Sequence, residues 1–303
     1  MLRSEWSDLF SALSKKASQG DARGLRDSLW KNAEKIRSYL LSFQLENAPA
    51  GLIEQYVSDA LPRFLRTLEF VPLRCPNRVL EVGANPYLFH ILLRKIFSEA
   101  ALEGCNYFNH NIFDPGGGQM TQSMESAAAD ERYHITTELF NLEVLDPYPY
   151  DADRFDLIFF CETLEHLIVN PLAVFGRLNR ILAKGGFLVV TLPNAVRLSN
   201  LALMLEGRNF FDIYSTNGPH GRHNREYTIE ELVHLVQNNG YQVVRAETWD
   251  RFDYDAVPMW SFDYAGPSQR IGYTRSTVLK ALKLCGGNMM NRGDNLYLLA
   301  TKP

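Results

Sequence analysis

Two clusters of ionisable side chains in this 303-residue sequence have the types and spacing that chemistry needs. The first is Glu162-Thr-Leu-Glu165-His166-Leu167, which follows the apolar run Phe155-Asp-Leu-Ile-Phe-Phe160. At i, i+3 and i+4, the two carboxylates and the imidazole share one face of the first turns of a helix. Acids at a helix start favour the dipole, with the histidine packed beside them. The same three groups are donors for a divalent cation. The second cluster is His220-Gly-Arg-His223-Asn-Arg225-Glu226-Tyr227. A histidine titrates near neutral pH, so His220 or His223 suits the removal of a hydroxyl proton. The plainer alternative is a solvated loop in which Arg225 and Glu226 pair with their neighbours. A third feature is Glu81-Val-Gly83-Ala-Asn85-Pro-Tyr87. Glycine there lets the chain turn tightly beside a ligand, and a helix start just after it favours negative charge. A side chain at position 83 would fill the ligand's space. Further on, Trp249-Asp-Arg-Phe-Asp-Tyr-Asp255 and Trp260-Ser-Phe-Asp-Tyr264 mix aromatics with aspartates. That mixture fits a saccharide or other polyol, or a satellite hydrophobic cluster under a long loop.

The elements that must position these groups are legible in the apolar periodicity. Residues 1–73 carry helical patterning only, with Trp6, Leu9, Phe10 and Leu13 on one stripe and Leu29, Trp30, Ala33, Ile36 and Leu40 on another. A third helix covers 52–68, broken or kinked at Pro62. Such a segment is either a packing layer or a lid. From Arg74 onward, short apolar runs alternate with helices. Strands are expected at 78–82, around Tyr107 and Phe108, at 133–138, 155–160, 185–191, 241–248 and 296–301, the last as an antiparallel edge strand. A helix covers 88–97, and another ends at the Lys184-Gly185 stop signal. Thr228-Ile-Glu-Glu231 is a capping box that opens a helix ending at Gly240. Strands separated by helices imply a doubly wound, parallel α/β sheet covered on both faces. Ligands of such sheets bind beyond the carboxyl ends of the strands.

The order Leu-Glu-Val-Gly83, Phe-Asp156-Leu-Ile, Glu162-x-x-Glu165-His166-Leu, Leu-x-x-Gly-Gly186-Phe-Leu and Pro193-Asn194 resembles the class I S-adenosylmethionine-dependent methyltransferases. It is most similar to the branch holding the ubiquinone-biosynthesis O-methyltransferases and bacterial sugar and natural-product enzymes. The resemblance covers residues 74–303 and implies a Rossmann-like seven-stranded sheet with the helical segment 1–73 in front. It also implies roles by position. Gly83 and Asn85 would face the methionine part of S-adenosylmethionine, Asn109 its ribose, and Asn141, Leu142 and Glu143 its adenine, with Glu81 and Glu162 also binding the cofactor. Two departures stand out: Asn85 replaces a second glycine, and asparagine replaces the usual ribose-binding acid. The plant-type small-RNA 2′-O-methyltransferases carry a similar Glu-x-x-Glu-His with a further histidine. On that likeness Glu162, Glu165, His166 and His223 would hold Mg²⁺ or Zn²⁺, with the ion polarising the acceptor hydroxyl. His223, His220 and Glu162 are the residues expected to act in catalysis.

Bulk properties narrow the acceptor. With 31 basic against 35 acidic side chains and a formal net charge of −4, the chain lacks the basic surplus of a phosphate-gripping protein. A saccharide or other small hydroxylated molecule is therefore expected, ahead of RNA. The cysteines Cys75, Cys105, Cys161 and Cys285 form no CxxC pair and no disulfide scaffold. No apolar run has the ~18 residues of a membrane span, and no secretory signal opens the chain, so a cytoplasmic protein is expected. The competing readings are an RNA 2′-O-methyltransferase and a methyltransferase-fold binding protein without catalysis, the latter supported by the glycine-poor loop.

Overall fold

The computed structural model describes residues 2–49, 51–71, 76–212, 219–260 and 270–303. Cys75 and residues 261–264 of the second aromatic–aspartate stretch lie outside them. Four helices come first: α1 (Leu2–Ser18), α2 (Ala22–Lys31), α3 (Ala33–Leu41) and α4 (Leu52–Phe70). The second apolar stripe of the sequence is divided between α2 and α3 at Asn32, whose backbone caps one helix and opens the next. Pro62 lies inside α4, and the helix runs on through it.

Among the described residues, nine strands form one sheet. The parallel centre is β5 (Glu131–Phe140), β3 (Ala101–Asn106), β2 (Arg78–Val82), β6 (Phe155–Cys161) and β7 (Leu182–Pro193), in that order. Beyond β7 lie β9 (Asn295–Thr301) and then β8 (Gln242–Trp249), each antiparallel to its neighbour. The final strand is thus antiparallel, as expected, but interior; β8 forms the edge. Seven strands of the doubly wound pattern are present, and two more extend the other side. These are β4 (Gly116–Ser126), antiparallel to β5, and the two-residue β1 (Gln44–Leu45) beside it. The second strand is Ala101–Asn106, and Tyr107 and Phe108 follow its end. The helix before β7 is α6 (Pro171–Ile181) and ends ahead of Lys184-Gly185; Gly185, at φ +72°, instead sits in a register irregularity of β7.

Alternation along the strands sends side chains to two cores. On one face, Val79, Leu157, Phe159, Val189, Tyr297 and Leu299 pack under α1–α4 and α5 (Leu88–Ile96). On the other, Leu80, Val82, Ile158, Phe160, Leu188 and Val190 pack under α6 and α8 (Ile229–Asn238). The capping box of α8 is present in both directions, Thr228 accepting from the Glu231 amide and Glu231 from the Thr228 amide. A third, small cluster joins Phe252, Tyr254, Met259 and Ile271 to α7 (Leu198–Leu205) and α9 (Arg275–Leu284). Among the described residues, no helix is long and apolar enough to cross a membrane.

The N-terminal helices share one continuous core with the sheet. Phe64 of α4 stacks on Phe89 of α5 at 4.9 Å between ring centres, and Phe89 meets Phe159 of β6 edge-on at 5.4 Å. Tyr39 of α3 donates to Glu131 of β5 at 2.6 Å. A segment built into the core in this way must unfold with it. Leu65→Ala, at a fully buried position of α4, is expected to cost about 2–5 kcal/mol in urea unfolding while leaving a single cooperative transition. An early, separate transition of the helical segment would contradict this.

Candidate active site

A cavity of about 660 Å³ opens beyond the carboxyl ends of β2, β6 and β7. Its walls come from α4, the β2–α5 loop, the loop after β6, and His220, His223, Arg251 and Asp294. Gly83, Asn85, Glu81 and Glu162 of the expected cofactor residues line it.

Gly83 takes φ +74°, a conformation that favours glycine, and its amide donates to the Cys105 carbonyl at 2.9 Å. A Cβ on Gly83 would meet Thr163 Oγ1 at 2.7 Å. The β6 loop therefore leaves no room for a side chain at position 83, which also lines the cavity. Glu81 is buried and paired with His90 of α5 at 2.9 Å; burial raises its pKa and the histidine partly offsets the rise. Tyr87 is a fully buried phenol, which donates to Gln122 of β4 at 2.8 Å.

The residues expected at ribose and adenine lie elsewhere. Asn109 sits in an exposed turn and donates to Asp114 at 2.5 Å. The asparagine at the strand end is Asn106, whose side chain accepts from the Asn85 amide and donates to Tyr87 and Thr137. Asn141 donates to the Ile112 carbonyl and accepts from the Glu143 amide. Glu143 accepts from the amides of Ile168, Val169 and Asn170, and Leu142 is buried in the core. None of Asn109, Asn141, Leu142 and Glu143 reaches the cavity wall. The cavity thus lies at the 83–85 loop, while Asn109, Asn141 and Glu143 hydrogen-bond to neighbouring loop segments and Leu142 packs in the core.

The Glu162–Glu165–His166 face is also rearranged. Glu162 has φ +47° and precedes a short 3-10 turn, Leu164–His166, so the expected regular helix start is absent. Its carboxylate turns toward Arg63 of α4, 2.6 Å away, and accepts from Thr191 at 2.9 Å and from Asn295 at 3.2 Å. Glu162 is therefore held apart from the other expected metal ligands.

Glu165, His166 and His223 do converge: one donor atom from each lies within 4.8 Å of the others. His166 and His223 each bring Nε2 to 4.0 Å from Glu165 Oε1. The Nδ1 of His166 lies 2.9 Å from the Arg222 carbonyl, which only accepts, so that nitrogen carries the proton. His223 Nδ1 faces Glu226 at 3.3 Å. Burial opposes ionisation of Glu226, but Arg197 at 2.7 Å and then His223 outweigh it and hold the pKa at about 2. Burial, followed by His223, lowers His166 to about 4. Glu165 is fully buried, which pushes its carboxyl up to about 8, and among the described residues neither oxygen has a hydrogen-bond partner.

His220 lies edge-on to Tyr107 at 5.5 Å, and its Nε2 is buried without a hydrogen-bond partner among the described residues. Of the two aromatic–aspartate stretches, Arg251 alone among the described residues lines the cavity. Tyr254 enters the third core cluster, and Trp249 packs on Trp30 and Tyr297. The satellite-cluster alternative accounts for them. Arg63 and Arg197, the partners of Glu162 and Glu226, went unrecognised in the sequence, because an ion pair across distant elements has no local signature.

Glu165 gives the site a pH signature. The unfolded carboxyl titrates near 4.5 and the folded one near 8, so across that window the folded chain holds the extra proton and stability falls as pH rises. In chelating buffer, Glu165→Gln should gain stability over the parent progressively from pH 4.5 to 8. A difference that does not change with pH in urea unfolding would show the carboxyl to be ionised in the fold.

Several solved structures follow a similar chain course. An S-adenosylmethionine-dependent methyltransferase of Thermotoga maritima is 17% identical, with TM-score 0.45, covering 83% of this chain and 96% of its own. One from Archaeoglobus fulgidus is 13% identical, with TM-score 0.45, covering 75% and 86%. One from Mesorhizobium loti is 13% identical, with TM-score 0.43, covering 80% and 97%. No curated protein matches the sequence. The model of a methyltransferase-domain family matches residues 51–246, well over half of the chain. The chain belongs to that family and is an S-adenosylmethionine-dependent methyltransferase.

Proposed function

We propose that the enzyme methylates a hydroxyl oxygen of a small molecule, with a divalent cation held by Glu165, His166 and His223. The observation that carries this reading is the Glu165 carboxylate, buried in the cavity wall with no side-chain hydrogen-bond partner on either oxygen among the described residues and two imidazoles at 4.0 Å. A buried carboxylate is costly unless a cation or hydrogen bonds compensate it. Both histidines also have the outer partners typical of ligands, a carbonyl on one Nδ1 and a carboxylate on the other. Two nitrogens and one oxygen suit Zn²⁺ better than Mg²⁺. When bound, the ion would supply Lewis acidity toward a hydroxyl.

S-Adenosylmethionine brings the electrophilic methyl group, so the protein's main task is to place the acceptor oxygen in line with it. Gly83, Ala84 and Asn85 line the side of the cavity taken here for the cofactor's amino-acid end, their amides already donating to Cys105 and Asn106. The acceptor side is bounded by His220, His223 and Arg251. The net charge of −4 favours a small acceptor over RNA.

A second reading needs no metal. Glu226, kept ionised by Arg197, orients His223 through Nδ1 and leaves Nε2 on the cavity side, the arrangement of a general base. In both readings His223→Ala should lower turnover at least tenfold, about 1.4 kcal/mol in the barrier, with affinity for S-adenosylhomocysteine within a factor of two. Calorimetric titration with Zn²⁺ alone separates them: saturable binding lost in Glu165→Gln is expected. Full methyl transfer in excess chelator, with no Zn²⁺ or Mg²⁺ binding, would leave the general base as the account. Transfer to nitrogen or carbon acceptors, with hydroxyl compounds inert, would overturn the oxygen assignment.

A further inference from the structure

The cavity wall supplied by α4 has an internal order. Leu52, Tyr56, Ala60 and Phe64 line it at intervals of four residues, and so do Gln55, Asp59, Arg63 and Thr67. Residues four apart lie one above another on a helix, so these are two adjacent rows, one apolar and one polar. The apolar row continues across the cavity through the Phe64–Phe89 stack. The polar row continues through the Arg63–Glu162 ion pair. Each row spans twelve residues, roughly 18 Å at the helical rise.

Burial grades along the same axis. Gln55 and Asp59 are exposed and Tyr56 is half-buried at the mouth, whereas Arg63, Phe64 and Thr67 are buried at the floor. Tyr56 and Phe64 lie 6.1 Å apart between ring centres, so an aromatic path leads from the mouth to Phe89. Ring faces beside carboxylates suit a saccharide, and an apolar row roughly 18 Å long leaves room for a further ring beside it. Here one wall offers ring faces and its neighbour offers an amide and a carboxylate.

We propose that α4 selects the acceptor, and that the acceptor is a hydroxylated molecule bearing an aromatic ring. The ring lies along the Tyr56–Phe64 row, and the hydroxylated part lies against Gln55 and Asp59. Tyr56 is the specificity-determining side chain, being the ring at the mouth with accessible surface. The inference rests on the hydroxyl-methylation reading only in taking the cavity's second ligand to be the methyl acceptor. Binding, unlike turnover, tests it apart from that reading.

The probe is 4-nitrophenyl glucoside, titrated calorimetrically into the full chain saturated with S-adenosylhomocysteine, with glucose as the comparison. The aryl glucoside should bind at least tenfold more tightly than glucose. Tyr56→Ala should weaken the aryl glucoside at least fivefold, leave S-adenosylhomocysteine affinity unchanged, and have no effect on glucose. Tyr56→Phe should restore the binding, which separates a ring contact from a folding defect. Equal affinities for the two sugars, no binding of the aryl glucoside, or indifference to Tyr56→Ala would each overturn the proposal. Aryl-glucoside binding without methyl transfer to any hydroxyl would instead overturn the reaction assignment and leave the α4 wall standing.

Discussion

Carboxylates removed from water must be compensated or neutralised, and the chain gathers several of them around this one cavity. Each is treated differently. Glu81 has His90 beside it. Glu226 has Arg197 and Asn200, and stays ionised. Glu162 has Arg63, Thr191 and Asn295, so its charge ties the N-terminal helix to the tips of β7 and β9. Glu165 alone has no donor among the described residues. The first three arrangements require α4, α5, α7, β7 and β9 to reach the same place, and the architecture around the cavity follows from that requirement. The left-handed backbone at Glu162 fits the same logic, because strain persists only where surrounding contacts determine it.

The parts of the fold legible in the sequence are those in which burial on both faces leaves a continuous apolar run. Strands β6 and β9 are of this kind, and the Thr228–Glu231 capping box is a local signal realised as read. Strand β4 was illegible because Gly-Gly-Gly-Gln-Met-Thr-Gln-Ser-Met-Glu-Ser is polar and glycine-rich; its conformation comes from pairing with β5. Strand β3 was misplaced toward Tyr107 because Glu103 and Gly104 interrupt its apolar pattern.

At the site, spacing correctly joined Glu165 to His166, and His223 meets them in space. Spacing failed for Glu162, since the positive φ that turns its side chain toward Arg63 cannot be read from a periodicity that assumes regular helix. Asn109, Asn141 and Glu143, expected at the cofactor from the family resemblance, hydrogen-bond to nearby loop segments, and Leu142 is buried in the core. Loop-borne ligand contacts depend on orientation, and orientation is decided by hydrogen bonds between segments far apart in sequence.

The placement of α4 also bears on how the molecule comes together. This helix packs on α2 and α3 and stacks on Phe89, yet other partners come much later in the chain: Glu162, Glu247 and Tyr297, with Arg66 and Glu247 separated by 181 residues. Loop-closure entropy makes such distant pairings slow to form. The α4 wall therefore takes its final place only once the ends of β6, β8 and β9 have come together beside it.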